Sequence, residues 1–189
     1  VRLFIAVDLP GASRDRIESL IADLRREVPE VRWARIEGVH LTLKFLGEVE
    51  EGRLRALAAI LDRRAAAAGG FTVLLKGVGM FGTKSRPRVV WCGVMDPDGG
   101  LARLAASIDD GCAETGFPRE ARPFHPHLTL ARLKGPSRSL AAAVDARTDL
   151  DLGGFAVTSF HLFRSLLRPR GAEYLRLTEH RLGGAAAPS

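Results

Sequence analysis

Apolar positions along this chain follow two rhythms, and the places where one gives way to the other predict its elements. Arg2 to Val7 is an apolar run of strand length, closed by the turn signal Pro10-Gly11. Ile17, Leu20, Ile21 and Leu24 then recur at helical spacing, with Ser13 as the expected N-cap and Pro29 ending the pattern. Val31 to Ile36 looks extended, Glu37-Gly38 turns, and the residues up to Gly47 alternate as a strand does. Glu50 to Ala68 reads as a second helix on Leu54, Leu57, Ile60 and Leu61, ended by Gly69-Gly70. Phe71 to Val78 and Arg88 to Val94 read as strands joined by a basic, aromatic loop, Gly79 to Pro87, a candidate lip for a substrate. A third helix opens at Leu101, Leu104, Ala105 and Ile108 and fades by Gly116. A further strand begins near His127, a short helix covers Ser139 to Val144, and Phe155 to Phe163 with Tyr174 to Thr178 reads as a final strand pair. The alternation predicts an α+β fold over residues 1–182, with 183–189 as a disordered tail.

One tetrapeptide recurs. His40-Leu41-Thr42-Leu43 and His127-Leu128-Thr129-Leu130 are identical, and with five His and eight Thr in the chain a His-x-Thr should arise by chance about 0.2 times. Strand alternation puts the His and the Thr of each copy on one face and the two Leu on the other. The histidines lie 87 positions apart, too far for one hairpin. The expected architecture is therefore bilobal: two pseudo-symmetric lobes of antiparallel sheet, helices outside, each giving one motif strand to a central cleft. Two imidazoles across a cleft make an acid and a base. By the same parity Lys44 should follow His40 and Thr42 into the cleft, whereas Arg132 falls on the opposite parity from His127 and Thr129 unless the strand bulges. Phe45, Trp33 and Phe81 are candidate surfaces for stacking a base, set against the ordinary reading of strand aromatics as core.

Charge supports an anionic partner. The chain of 189 residues has a net charge of +6 and a pI near 10.1. Arg164, Arg168 and Arg170 occur between Leu152 and Ala172 with no acid, Lys76, Lys84, Arg86 and Arg88 sit together, and Arg119, Arg122, Arg132, Lys134 and Arg138 surround the second motif against Glu120 alone. Cys92 and Cys112 are too few and too far apart for a disulfide framework or a zinc site, which fits reduced thiols in a cytosolic protein. His125 and His127 have no neighbouring Cys or clustered carboxylates to complete a metal site. His161 and His180 read as structural. No apolar run reaches the ~20 residues of a membrane span, and neither a signal peptide nor an anchor is read; the expected place is the cytoplasm.

The two motifs in a basic chain of this size resemble those of the two-histidine (2H) phosphoesterase superfamily. Within it, His40 to Gly47, Phe124 to Arg132, the opening Arg2 to Val7, Arg88-Val89-Val90-Trp91 and Leu162-Phe163-Arg164-Ser165 are similar to the RNA 2′,3′-cyclic phosphodiesterases first named 2′-5′ RNA ligases. That resemblance implies a bilobal α+β fold, no metal or other cofactor, and hydrolysis of an RNA 2′,3′-cyclic phosphate to a 2′-phosphate. It implies His127 as the base toward water, His40 as the acid toward the departing ribose 3′ oxygen, and Arg132 as a phosphate contact. Thr42 and Thr129 would donate hydrogen bonds to the non-bridging oxygens. The expected partner is an RNA end, tRNA-derived ends included, with small nucleotides as further ligands and a monomer as the working unit. The alternatives are an RNA-binding module without turnover, or a phosphodiesterase of a small cyclic or 2′-5′ linked nucleotide.

Overall fold

The computed structural model describes residues 1–168 and 171–184. Its elements run β1 (Arg2–Val7), α1 (Gly11–Glu27), β2 (Leu41–Glu48), α2 (Leu54–Ala67), β3 (Phe71–Gly82), β4 (Pro87–Met95), α3 (Gly100–Glu114), β5 (His127–Arg132), α4 (Leu140–Asp145), β6 (Asp151–Val157), β7 (Ser159–Arg168) and β8 (Gly171–Arg181). The strands form one antiparallel sheet in the order β6-β3-β4-β5-β2-β1-β7-β8. The α+β class is as expected, and the one sheet divides in strand order into two four-stranded halves. The halves meet between β2 and β5, whose one paired position is Leu41 with Leu128. Each half repeats the order strand, helix, motif strand, helix: β1-α1-β2-α2 and β4-α3-β5-α4. The motif strand is innermost in both.

Alternation along the strands explains why the helices cover one face. Leu3, Ile5 and Val7 of β1, Leu41 and Leu43 of β2 and Leu128 and Leu130 of β5 join Ile17, Leu24, Leu57, Ile60, Leu101 and Ile108 of the helices in one core. The intervening residues of β1, Phe4 and Ala6, turn to the other face and pack with Phe163 and Tyr174. Leu41 and Leu128 are fully buried, so the narrow junction between the halves is held by burial worth about 1.5–3 kcal/mol per side chain rather than by a long ladder.

Several boundaries differ from the sequence reading. The segment Phe155 to Phe163 is two strands broken at Thr158: β6 pairs with β3 in one half and β7 with β1 in the other. The Gly79–Pro87 loop is mostly strand, because β3 runs on to Gly82 and pairs with Pro87. Gly79 belongs there because a Cβ would stand 2.3 Å from the Trp91 ring. Ser13 does not cap α1. The helix starts at Gly11 after an extended Pro10, whose carbonyl accepts from Arg14 N–H at 2.8 Å, and Ser13 lies buried within it. Gly183, placed in the tail by sequence, is held by its N–H to Ala65 O at 3.0 Å; residues 185–189 lie outside the described residues.

Candidate active site

Both motif strands carry a one-residue β-bulge at the same motif position. Ala6 pairs with Thr42 and Ile5 with Lys44, leaving Leu43 as the extra residue of β2. Trp91 pairs with Thr129 and Val90 with Ala131, leaving Leu130 as the extra residue of β5. Up to each bulge, parity holds: His40 and Thr42 share the helix-free face with Ala6, and His127 and Thr129 share it with Gly93 and Trp91. The antiparallel register through Leu41 and Leu128 aligns His40 with Thr129 and Thr42 with His127. Each imidazole is thus matched with the hydroxyl of the other copy.

Beyond the bulge the faces exchange. Lys44, expected in the cleft, turns under the helices, where its Nζ donates to Asp109 Oδ1 at 2.5 Å and to Pro118 O at 2.9 Å. The parity expectation for Lys44 is overturned for that reason. Phe45 takes the open face, 61% exposed and beside Phe4. In β5 the same shift puts Arg132 opposite Val89, on the face of His127 and Thr129. Only parity without a bulge argues against Arg132.

His40 sits in an aromatic box, its ring centroid 4.7 Å from Phe163, 5.2 Å from Tyr174 and 5.7 Å from Phe4. Its Nε2 lies 3.6 Å from Asp8 Oδ1. Burial lowers its pKa from the usual histidine value; the Asp8 carboxylate and a hydrogen bond to the Gly38 backbone oppose that, while Arg14 and Arg176 add to it. His127 Nδ1 lies 2.8 Å from His125 O. A carbonyl only accepts, so Nδ1 carries the proton and Nε2 of the neutral ring is left with its lone pair. Burial also lowers the pKa of His127; the His125 bond opposes this, and the neighbouring charges, His125 and Arg132, add to the lowering. The two copies share a backbone anchor two residues upstream, and each has arginine beside it, Arg14 and Arg176 at His40 and Arg132 at His127; they differ in the carboxylate of Asp8, which stands beside His40.

Phe81 stands 5.1 Å from His127 and 5.3 Å from His125, and Trp91 is 5.8 Å from His125, so these rings form the wall of the second half. Trp33, in contrast, is core: it is buried and its Nε1 donates to Val28 O at 2.9 Å. Part of the basic surface is paired within the fold. Lys84 meets Asp145, Arg119 meets Asp110 and Arg168 meets Glu173; Arg170 lies outside the described residues. His180 is structural as expected, bonded to Asp62 and Thr178. The cysteines are free and buried, and burial pushes their thiols up, Cys92 to about 12 and Cys112 to about 11. Among the described residues no group of three or more His, Cys, Asp or Glu could hold a metal ion, and no helix is long and apolar enough to cross a membrane.

Sequence reasoning missed Asp8, Tyr174 and Arg176. Along the chain Asp8 reads only as the interruption of an apolar opening, yet a lone carboxylate directly after a buried strand was the available signal. Arg176, from β8, ion-pairs with Asp8 across the sheet, which no local pattern displays.

The chain is similar along most of its length to known proteins. An RNA 2′,3′-cyclic phosphodiesterase of Methanothermobacter thermautotrophicus is 34% identical over 184 residues, covering 96% of this chain and 99% of its own. The RNA 2′,3′-cyclic phosphodiesterase of Escherichia coli is 36% identical over 165 residues, covering 87% of this chain and 86% of its own. Among solved structures, the TT0787 protein of Thermus thermophilus superposes with a TM-score of 0.80 at 31% identity, over 98% of this chain and 100% of that one. E. coli LigT complexed with 3′-AMP superposes with a TM-score of 0.79 at 33% identity, over 96% and 97%. Residues 10–168 match the family described as the 2′-5′ RNA ligase superfamily, and the chain belongs to it.

Proposed function

We propose that this chain hydrolyses RNA 2′,3′-cyclic phosphate ends to 2′-phosphate ends, with His127 as the general base and His40 as the general acid. The observation that carries the assignment is the unequal charge around two otherwise matching imidazoles. Asp8 favours the protonated form of His40 against the pull of Arg14 and Arg176, whereas His127 has Arg132 beside it and, through the His125 carbonyl on Nδ1, keeps Nε2 of the neutral ring free. Opening a cyclic phosphate needs a base on one side of phosphorus and an acid on the other, in line. His127 takes a proton from water as its oxygen attacks phosphorus. The bond to the ribose 3′ oxygen breaks, and His40 protonates that oxygen, leaving the phosphate on the 2′ position. Thr42 and Thr129 donate hydrogen bonds to the non-bridging oxygens and Arg132 supplies countercharge, so the phosphate is held between the rings. With a 5′-hydroxyl end in place of water, the same groups keep their roles and join a 2′-5′ linkage, and in the reverse cleavage of that linkage the two roles exchange. The RNA end is the recognised feature, and tRNA-derived ends are among the expected substrates. Both motif strands come from one chain, so a monomer suffices.

The direct test is incubation of the purified protein, in chelator, with a short RNA ending in a 2′,3′-cyclic phosphate, followed by identification of the product end. Complete conversion to a 2′-phosphate is expected; binding without conversion would move the reading to an RNA-capture module. The pH dependence follows from the same assignment. kcat/KM requires neutral His127 and protonated His40 in the free enzyme. Both pKa values lie below the usual ~6.5, so kcat/KM should peak below pH ~6.5 and fall as pH rises through neutrality and His40 loses its proton. The bound phosphate anion raises both imidazoles, so the kcat profile should lie at higher pH than that of kcat/KM. Coincident profiles, or a kcat/KM that rises through pH 8, would overturn the assignment.

A further inference from the structure

Asp8 serves more than His40. Its Oδ2 also faces His161 Nδ1 at 3.8 Å, and Arg176 ion-pairs with the same oxygen. His161 lies on the open face, paired with Ala6 across β1 and β7 and with Glu179 across β7 and β8. It is 6% exposed, its Nδ1 has no hydrogen-bond partner, and its Nε2 stands 4.0 Å from Glu179 Oε1. His180, the neighbouring buried histidine, is fully engaged by Asp62 and Thr178. An unpaired nitrogen in a buried ring is costly unless something uses it. Here it is aimed at the carboxylate that faces the acid. A cavity of about 170 Å3 lined by Asp8, His161, Pro10, Thr158 and Ser159 opens beside the pair, with room for water to exchange protons with it.

We propose that His161 is a positioning residue for the acid: it shares Asp8 with His40 and so sets how much of that carboxylate's charge the His40 ring receives. The groups facing the network are Asp8 after β1, Arg14 of α1, and Arg176, Glu179 and His180 of β8. When His161 donates to Asp8, the carboxylate stabilises the imidazolium of His40 less; when it does not, the proton on His40 is held more tightly. The two imidazoles therefore titrate against each other through one carboxylate. Burial lowers the pKa of His161 as it does that of His40, with Asp8 opposing and Arg176 adding in both cases.

The inference rests on His40 as the acid, and its test is independent of turnover. Histidine ring signals of the intact protein are followed by NMR against pH. In the wild type, the His40 curve should show two steps, one at the pH where His161 titrates. His161→Leu should leave a single step displaced upward by about 0.5 pH unit or more, and His161→Gln, whose amide still donates to Asp8, should return it toward the wild type. In an Asp8→Asn background His161→Leu should shift nothing. A one-step wild-type curve with no inflection at the His161 titration overturns the proposal, and so does an equal shift in the Asp8→Asn background. Should His161→Leu not fold, the wild-type curve and the Gln variant still decide. Failure of the underlying reading would appear elsewhere, as retained turnover in His40→Ala.

Discussion

His127→Ala is expected to lower kcat on a 2′,3′-cyclic phosphate RNA by about 10²-fold or more, and His40→Ala by a similar factor, with RNA affinity changing far less. The size is that of losing a positioned acid or base. Affinity should persist because the phosphate keeps Arg132 and the two threonines, and the RNA keeps the exposed ring of Phe45. The variants should part on a diester whose leaving group needs no proton. With a 3′-deoxynucleoside 2′-(4-nitrophenyl phosphate), which holds phosphorus through the 2′ oxygen and puts nitrophenolate in the place of the departing 3′ oxygen, the leaving group departs unaided, so the His40→Ala penalty should shrink while that of His127→Ala stays. Equal penalties on both substrates would sink the division of roles, and near-normal turnover in either variant would sink the paired-imidazole mechanism itself. Because the His40 ring is 8% exposed and packs against Phe4, Phe163 and Tyr174, its loss also opens a cavity, so turnover of His40→Ala is compared on protein shown to be folded by its denaturant midpoint.

How far the site could be read from the chain is clearest at the bulges. The two histidines and two threonines precede the bulge in each motif, where strict alternation holds, and all four fall on the face that alternation assigns. Lys44 and Phe45 follow it, as do Ala131 and Arg132, and there alternation assigns the wrong face. Leu43 and Leu130 carry no mark of being extra residues. They are ordinary apolar strand residues in strands that bulge only in relation to their partners, and the register of β1 against β2, or of β4 against β5, is a non-local fact. Charge was opaque for the same reason. Arg119 and Lys84 look unopposed along the chain, but the fold brings Asp110 and Asp145 to them from other elements. Core helices, in contrast, were readable in outline because their spacing is local: Ile17, Leu20, Ile21 and Leu24 line α1 as their period requires.

The bulge in β2 makes adjacent residues predict opposite phenotypes. Lys44→Met should lower the stability of the protein by about 2–4 kcal/mol, measured by denaturant midpoint, while KM for RNA at a temperature where the variant is folded changes by less than about twofold. The Lys44 side chain is 4% exposed and its Asp109 partner 20%, so the pair is largely withdrawn from water. Burial alone would raise the Asp109 carboxyl, but the Lys44 and Glu120 N–H bonds and the charges of Lys44 and Arg119 outweigh it and hold the group below the usual carboxylate range. Removing the ammonium strands that carboxylate and the carbonyl of Pro118, and a buried pair broken on one side costs more than the pair itself contributes. The loss belongs toward the low end of the range because Arg119, 3.9 Å away, and Glu120 N–H remain. Phe45→Ala should do the reverse, weakening RNA binding by about tenfold through a lost stacking surface with little change in the midpoint. A raised KM with an unchanged midpoint for Lys44→Met would restore the ammonium to the cleft, and with it the uninterrupted alternation that the bulge at Leu43 breaks.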